Sequence, residues 1–126
     1  MRAWFRTYLL LTPAVLISGT ATPTMADPAV IEGARAVKNG GDWTVSVTLR
    51  HGDTGWEDYA DGWRVIGPEG EVLGTRELAH PHETEQPFTR SLSGVTIPED
   101  IAVVEIEART STGGWEGARF PLTLPR

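Results

Sequence analysis

The chain has 126 residues, with 11 basic and 17 acidic side chains, three histidines and no cysteine. Both methionines, Met1 and Met25, fall in the first 26 residues, so the remaining 100 contain no sulfur. That excludes disulfides, thiolate catalysis, iron–sulfur clusters, blue-copper sites and Met-rich copper(I) sites. Arg2 and Arg6 also lie in that stretch, so nine basic residues face 17 acidic ones in the rest, a net charge of −8 that argues against nucleic-acid or anionic-membrane binding through a basic patch.

Residues 1–26 read as a signal peptide. Arg2 and Arg6 supply the positive start, Tyr8 to Ile17 is mostly apolar, and Thr24-Met25-Ala26 places small residues where signal peptidase reads. Thr12 and Pro13 interrupt the apolar run, which falls short of the roughly 20 residues a membrane span needs, so no span is expected after cleavage. The expected address is the periplasm or the exterior, with residues 27–126 forming one domain.

Period-2 alternation between turn signals predicts an all-β domain of seven strands. The first is Ala29 to Val37, and Asn39-Gly40-Gly41-Asp42 turns it into a run in which Trp43, Val45, Val47 and Leu49 alternate with Thr44, Ser46 and Thr48. Gly62 to Ile66 and Glu71 to Leu78 flank Gly67-Pro68-Glu69-Gly70, which predicts a tight hairpin pairing Ile66 with Glu71. Phe88 to Ile97 follows. The next strand puts Ala102, Val104, Ile106 and Ala108 on one face, and Phe120, Leu122 and Leu124 mark the last. Seven short antiparallel strands at this spacing predict a two-sheet sandwich. The layout resembles the immunoglobulin and fibronectin type III class, with Trp63 where such folds carry a core tryptophan. The segments His51-Gly52-Asp53-Thr54-Gly55-Trp56-Glu57-Asp58-Tyr59-Ala60-Asp61-Gly62-Trp63 and His80-Pro81-His82 with Glu85 to Arg90 are also similar to those of uncharacterised secreted bacterial proteins. Neither resemblance implies an activity.

The predicted register brings the 51–61 loop and the 80–85 segment to one end of the sandwich, with all three histidines. His80 and His82, as residues i and i+2 of an extended chain, face the same way, and His51 continues the inward parity of Leu49. Imidazoles without sulfur suit Zn(II) or Cu(II), so His51, His80 and His82 are candidate metal ligands, with Asp53, Asp58, Glu83 and Glu85 as nearby oxygen donors. The plainer alternative leaves His80 and His82 as loop residues and His51 as a cap on the core. Trp56 and Tyr59 either serve recognition or plug the open end of the core. Trp115, in the turn before the last strand, is a surface aromatic or a lid.

No Gly-x-Ser-x-Gly elbow, phosphate-binding loop, dinucleotide fingerprint or distinct carboxylate pair occurs, so the chain is not expected to be an enzyme. The expected function is a non-catalytic periplasmic binding or accessory module that recognises a protein partner through Trp56, Tyr59, His80 and His82. Strand addition at an edge formed by Glu71 to Leu78 is a second route. The alternative is a periplasmic metal-binding protein using the three histidines.

Overall fold

The computed structural model describes residues 27–126, together with Ala3, Trp4, residues 10–17 and Gly19. Most of the expected leader, including its cleavage site, lies outside the described residues. Among the described residues no helix is long and apolar enough to cross a membrane.

Strands β1 (Val30–Asn39) and β2 (Asp42–Arg50) form the first hairpin, with Asn39 opposite Asp42. Gly40 in its two-residue loop has φ 63°, a left-handed conformation that a side chain would oppose. Along β2 the expected alternation holds: Trp43, Val45, Val47 and Leu49 are buried. The opposite face of β2 meets hydroxyls of β5 (Phe88–Val95), where Ser46 pairs with Ser91 and Thr48 with Thr89, each at 2.7 Å. These strands make one antiparallel sheet in the order β1-β2-β5.

The second antiparallel sheet runs β4 (Val72–Glu77), β3 (Ala60–Ile66), β6 (Val103–Thr110). Two short strands, β7 (Gly114–Trp115) and β8 (Phe120–Thr123), both pair with β6, one at its end and one at its start. Eight strands are thus seen where seven were expected, because the turn after β6 folds back for two residues before the chain reaches β8. No helix occurs among the described residues.

The β3–β4 hairpin corrects the expected register. Gly67 closes the turn by donating its N–H to the Glu71 carbonyl at 2.8 Å, so Ile66 lies opposite Val72 rather than Glu71. A bulge then leaves Leu73 without a partner, and Val65 lies opposite Gly74. Two single-residue shifts in the same direction preserve the side-chain parity, which explains why the inward and outward faces still match the expectation.

Both sheets contribute their inner faces to a single core, with Trp43, Val45, Val47, Leu49 and Phe88 from the first and Trp63, Val65, Val104, Ile106 and Ala108 from the second. Full burial of one such aliphatic side chain is worth about 1.5–3 kcal/mol. Trp63 is completely buried, as expected for its strand. On the outer face of the second sheet, the guanidinium groups of Arg64 and Arg109 lie over the Trp115 ring, 4.0 Å and 5.0 Å from its centroid. Trp115 is neither a lid nor a bare surface aromatic.

The connectivity places the site. The chain leaves the first sheet after β2 to enter the second, and leaves the second after β4 to return. A connection between stacked sheets must bridge about 10 Å, which a two-residue turn cannot do. Residues 51–59 and 78–87 are these two crossing loops, and both lie at the same end.

Candidate functional site

The loop end is built around one carboxylate. Asp53 is buried, and its Oδ1 accepts the Ala60 N–H at 3.0 Å and lies 2.7 Å from His51 Nδ1. Its Oδ2 accepts the His82 N–H at 2.8 Å. One side chain therefore fastens the first crossing loop to the start of β3 and to the second crossing loop. Gln86 completes the tie, accepting the His51 N–H at 3.0 Å and donating to the His82 carbonyl at 2.9 Å. Backbone polar groups that leave a sheet need such partners when they are buried.

His51 is the buried counterpart of Asp53, pointing inward as its parity predicted. Its Nε2 lies 3.0 Å from the Asp27 carbonyl oxygen, so both ring nitrogens face oxygen acceptors. The ring is thus hydrogen-bonded to a buried carboxylate on one side and lies against a backbone carbonyl on the other. His51 is thereby fully occupied.

His82 is buried too, at 5% exposure, which corrects its expected place on a recognition surface. Its ring stacks on Phe88 with centroids 3.9 Å apart and planes 10° from parallel. Arg90 Nη2 donates to His82 Nε2 at 2.9 Å, which puts the ring proton on Nδ1, and that buried N–H has no partner. Arg90 also pairs with Glu85 at 3.2 Å, and this hydrogen bond is the main reason the Glu85 carboxyl titrates below its ordinary value. His80 and His82 do lie side by side, their ring centroids 4.6 Å apart, but His80 is exposed and its Nδ1 sits 3.0 Å from the Pro81 carbonyl.

The three-imidazole ligand set is therefore not assembled: His51 is bonded on both sides and His82 by Arg90. Among the described residues no group of three His, Asp or Glu side chains is arranged to hold a metal ion.

Burial, then the positive charge of Arg90 and the neighbouring His80, holds the pKa of His82 below 6.5, against the smaller opposing pull of Glu85 and Asp53. An unfolded chain takes up this proton at its ordinary pKa, so the contribution to stability is full above pH 6.5 and is lost as pH falls below it. The expected loss is at most about 1.4 kcal/mol per pH unit, the value for one proton. Urea unfolding at pH 7.5 and 5.5 checks this: a His82→Gln variant should lose less stability on acidification than the wild type.

Above this clamp the first loop forms a tight corner. Thr54 N–H donates to the Asp58 carbonyl at 3.0 Å, and Gly55 at φ 127° makes the turn. Trp56 and Glu57 stand at its tip. Trp56 is 68% exposed, with Tyr59 edge-on at 5.6 Å and half-buried. Trp56 does not plug the core. It lines a shallow open cleft of about 410 Å³ with Gly55, His80, Pro81, Glu83 and Thr84. The turn after β6 supports the corner from behind, through Ser111 N–H to the Tyr59 carbonyl at 2.9 Å and Thr112 to Asp58 at 3.0 Å.

Of the four proposed contact residues, Trp56, Tyr59 and His80 reach the surface together and His82 lies beneath them. The part of the site that sequence reasoning missed is the framework of Asp53, Gln86, Phe88 and Arg90. One signal pointed to it, because the inward parity of Trp43 to Leu49 continues unbroken through His51 to Asp53.

No protein-family model matches the chain, and no solved structure matches it. A Halomicrobium mukohataei protein named "Putative lipoprotein" is 42% identical over 85 residues, which make up 68% of this chain. The chain spans 38% of the length of that curated relative.

Proposed function

We propose that this protein is a non-catalytic binding module of the cell envelope or exterior, which recognises a protein partner through the loop end carrying Trp56, Tyr59 and His80. The observation that carries the reading is an exposed tryptophan on a corner that is hydrogen-bonded from below and behind. A large aromatic with little rotamer freedom, held on a fixed base, is the usual anchor of a protein interface. The envelope address rests on the leader pattern and on the lipoprotein name of the relative. The sandwich belongs to the immunoglobulin and fibronectin type III type: the sheet orders β1-β2-β5 and β4-β3-β6-β7, with β8 also on β6, support this, since the first, second and fifth strands of such folds share one sheet and the third and sixth the other.

The test is a Trp56→Ala, Tyr59→Ala double variant. Crosslinking and pull-down from envelope extracts of the source cells should lose the partner captured by the wild type. Each side chain lies outside the core cluster, so the melting temperature should change little, consistent with about 0.5 kcal/mol per surface substitution. Retention of the partner by a folded double variant would sink the reading.

A further inference from the structure

The tryptophans of residues 27–126 show a pattern that singles out Trp56. Trp43 is covered by Lys38 and Arg126, with the charges 5.9 and 5.6 Å from its ring centroid. Trp115 has Arg64 and Arg109 over its ring. Trp63 is wholly buried. Among the described residues no cation stands over Trp56, the one tryptophan of this domain with its ring open to solvent.

Two carboxylates stand beside Gly55, the residue before Trp56. A methyl group placed on Gly55 would lie 3.2 Å from Glu83 Oε1 and 3.8 Å from Glu57 Oε2, so these two oxygens are no farther apart than the two distances together, about 7 Å. Both carboxylates are exposed, and among the described residues neither has an ion-pair partner. A planar group donating N–H bonds of about 2.7–2.9 Å on two sides can reach two oxygens within that limit. Guanidinium has that fork, stacks well on indole and is weakly hydrated, which an ammonium is not.

We infer that the cleft beside Trp56 takes an arginine side chain of the partner protein, its guanidinium stacked on the indole and bridging Glu57 and Glu83. The inference rests on the loop-end reading above and names the chemistry of its partner. The net charge of −8 draws such a basic segment toward the domain and speeds encounter.

The probe is an acetylated, amidated heptapeptide alternating glycine with three arginines, compared with the same peptide carrying citrulline, which keeps the shape and loses the charge. Binding is followed by the indole N–H resonance of Trp56 in residues 27–126. The arginine peptide should bind at least tenfold more tightly than the citrulline peptide, and a Glu57→Gln, Glu83→Gln double variant should lose at least tenfold while melting normally. Raising salt should weaken binding. Equal affinity for both peptides, undiminished affinity in the double variant, or no shift up to about 5 mM arginine peptide would each overturn the inference. The two proposals fail separately. If the pull-down partner depends on Trp56 but the arginine peptide is ignored, the loop-end reading stands and the arginine site falls. Should the arginine peptide bind while partner capture survives loss of Trp56, the loop-end reading falls, and with it the assignment of the bound guanidinium to that partner.

Discussion

An Asp53→Ala variant is expected to lose about 3–5 kcal/mol of folding stability, because one buried carboxylate serves three hydrogen bonds that the variant cannot make. Three groups lose their acceptor at once: the His51 ring and the backbone N–H groups of Ala60 and His82. Each buried N–H left unpaired costs about 1–3 kcal/mol, so relaxation of the loops sets where the total falls. A stability of about 5–15 kcal/mol is usual for a domain, and the variant would stand near the lower limit of folding. Asp53→Asn should cost less, because the amide oxygen retains one acceptor, but its NH₂ faces a donor on the other side. Urea denaturation of wild type, Asp53→Asn and Asp53→Ala would show this order. A loss below about 1 kcal/mol for alanine would mean that the two crossing loops are held by other contacts.

Phe88→Ala is the second large effect, at about 3–5 kcal/mol for removal of a buried phenyl ring. Phe88 opens β5 opposite Leu49 and also forms the floor under His82. Its loss therefore opens a cavity in the core and unseats the imidazole together. The second consequence separates this variant from an ordinary core truncation. Burial is the leading reason His82 resists protonation, so hydrating its ring should raise its pKa toward the ordinary value and flatten the acid sensitivity of stability. Val95→Ala, which opens the core at the opposite end of β5 from Phe88, should lower stability and leave that pH dependence intact.

The strands were legible because the buried sets Trp43 to Leu49 and Val104 to Ala108 alternate without interruption, and hydrophobic alternation is a local property. The Gly40-Gly41 turn was legible for the same reason. The β3–β4 register was not: whether the turn closes at Ile66 or Gly67 is decided by one backbone hydrogen bond, and the bulge at Leu73 adds a second shift that no residue type announces. Convergence of the loops survived that error because both shifts run along the strand and leave its end where it was. The fate of the histidines could not be read from spacing. His80 and His82 have the same parity, yet one is exposed and the other buried, because Phe88 and Arg90 from another strand meet only His82. Contacts of that kind belong to tertiary packing. Trp115 was ambiguous for a similar reason, since the two arginines that lie over it come from β3 and β6.

The corner at residues 54–58 divides labour between its base and its tip. The base is fixed by Asp53, Thr54 and Asp58, each bonded to backbone or to another loop, whereas the side chains of Trp56 and Glu57 make no hydrogen bond to the domain among the described residues. Replacing tip residues thus costs the fold little, and replacing base residues costs it much. Because the loop is already ordered before a partner arrives, little conformational freedom remains to be lost on contact, and affinity can be retuned through two positions alone. Such a scaffold can change its target by substitution at the tip while its folding remains under separate control.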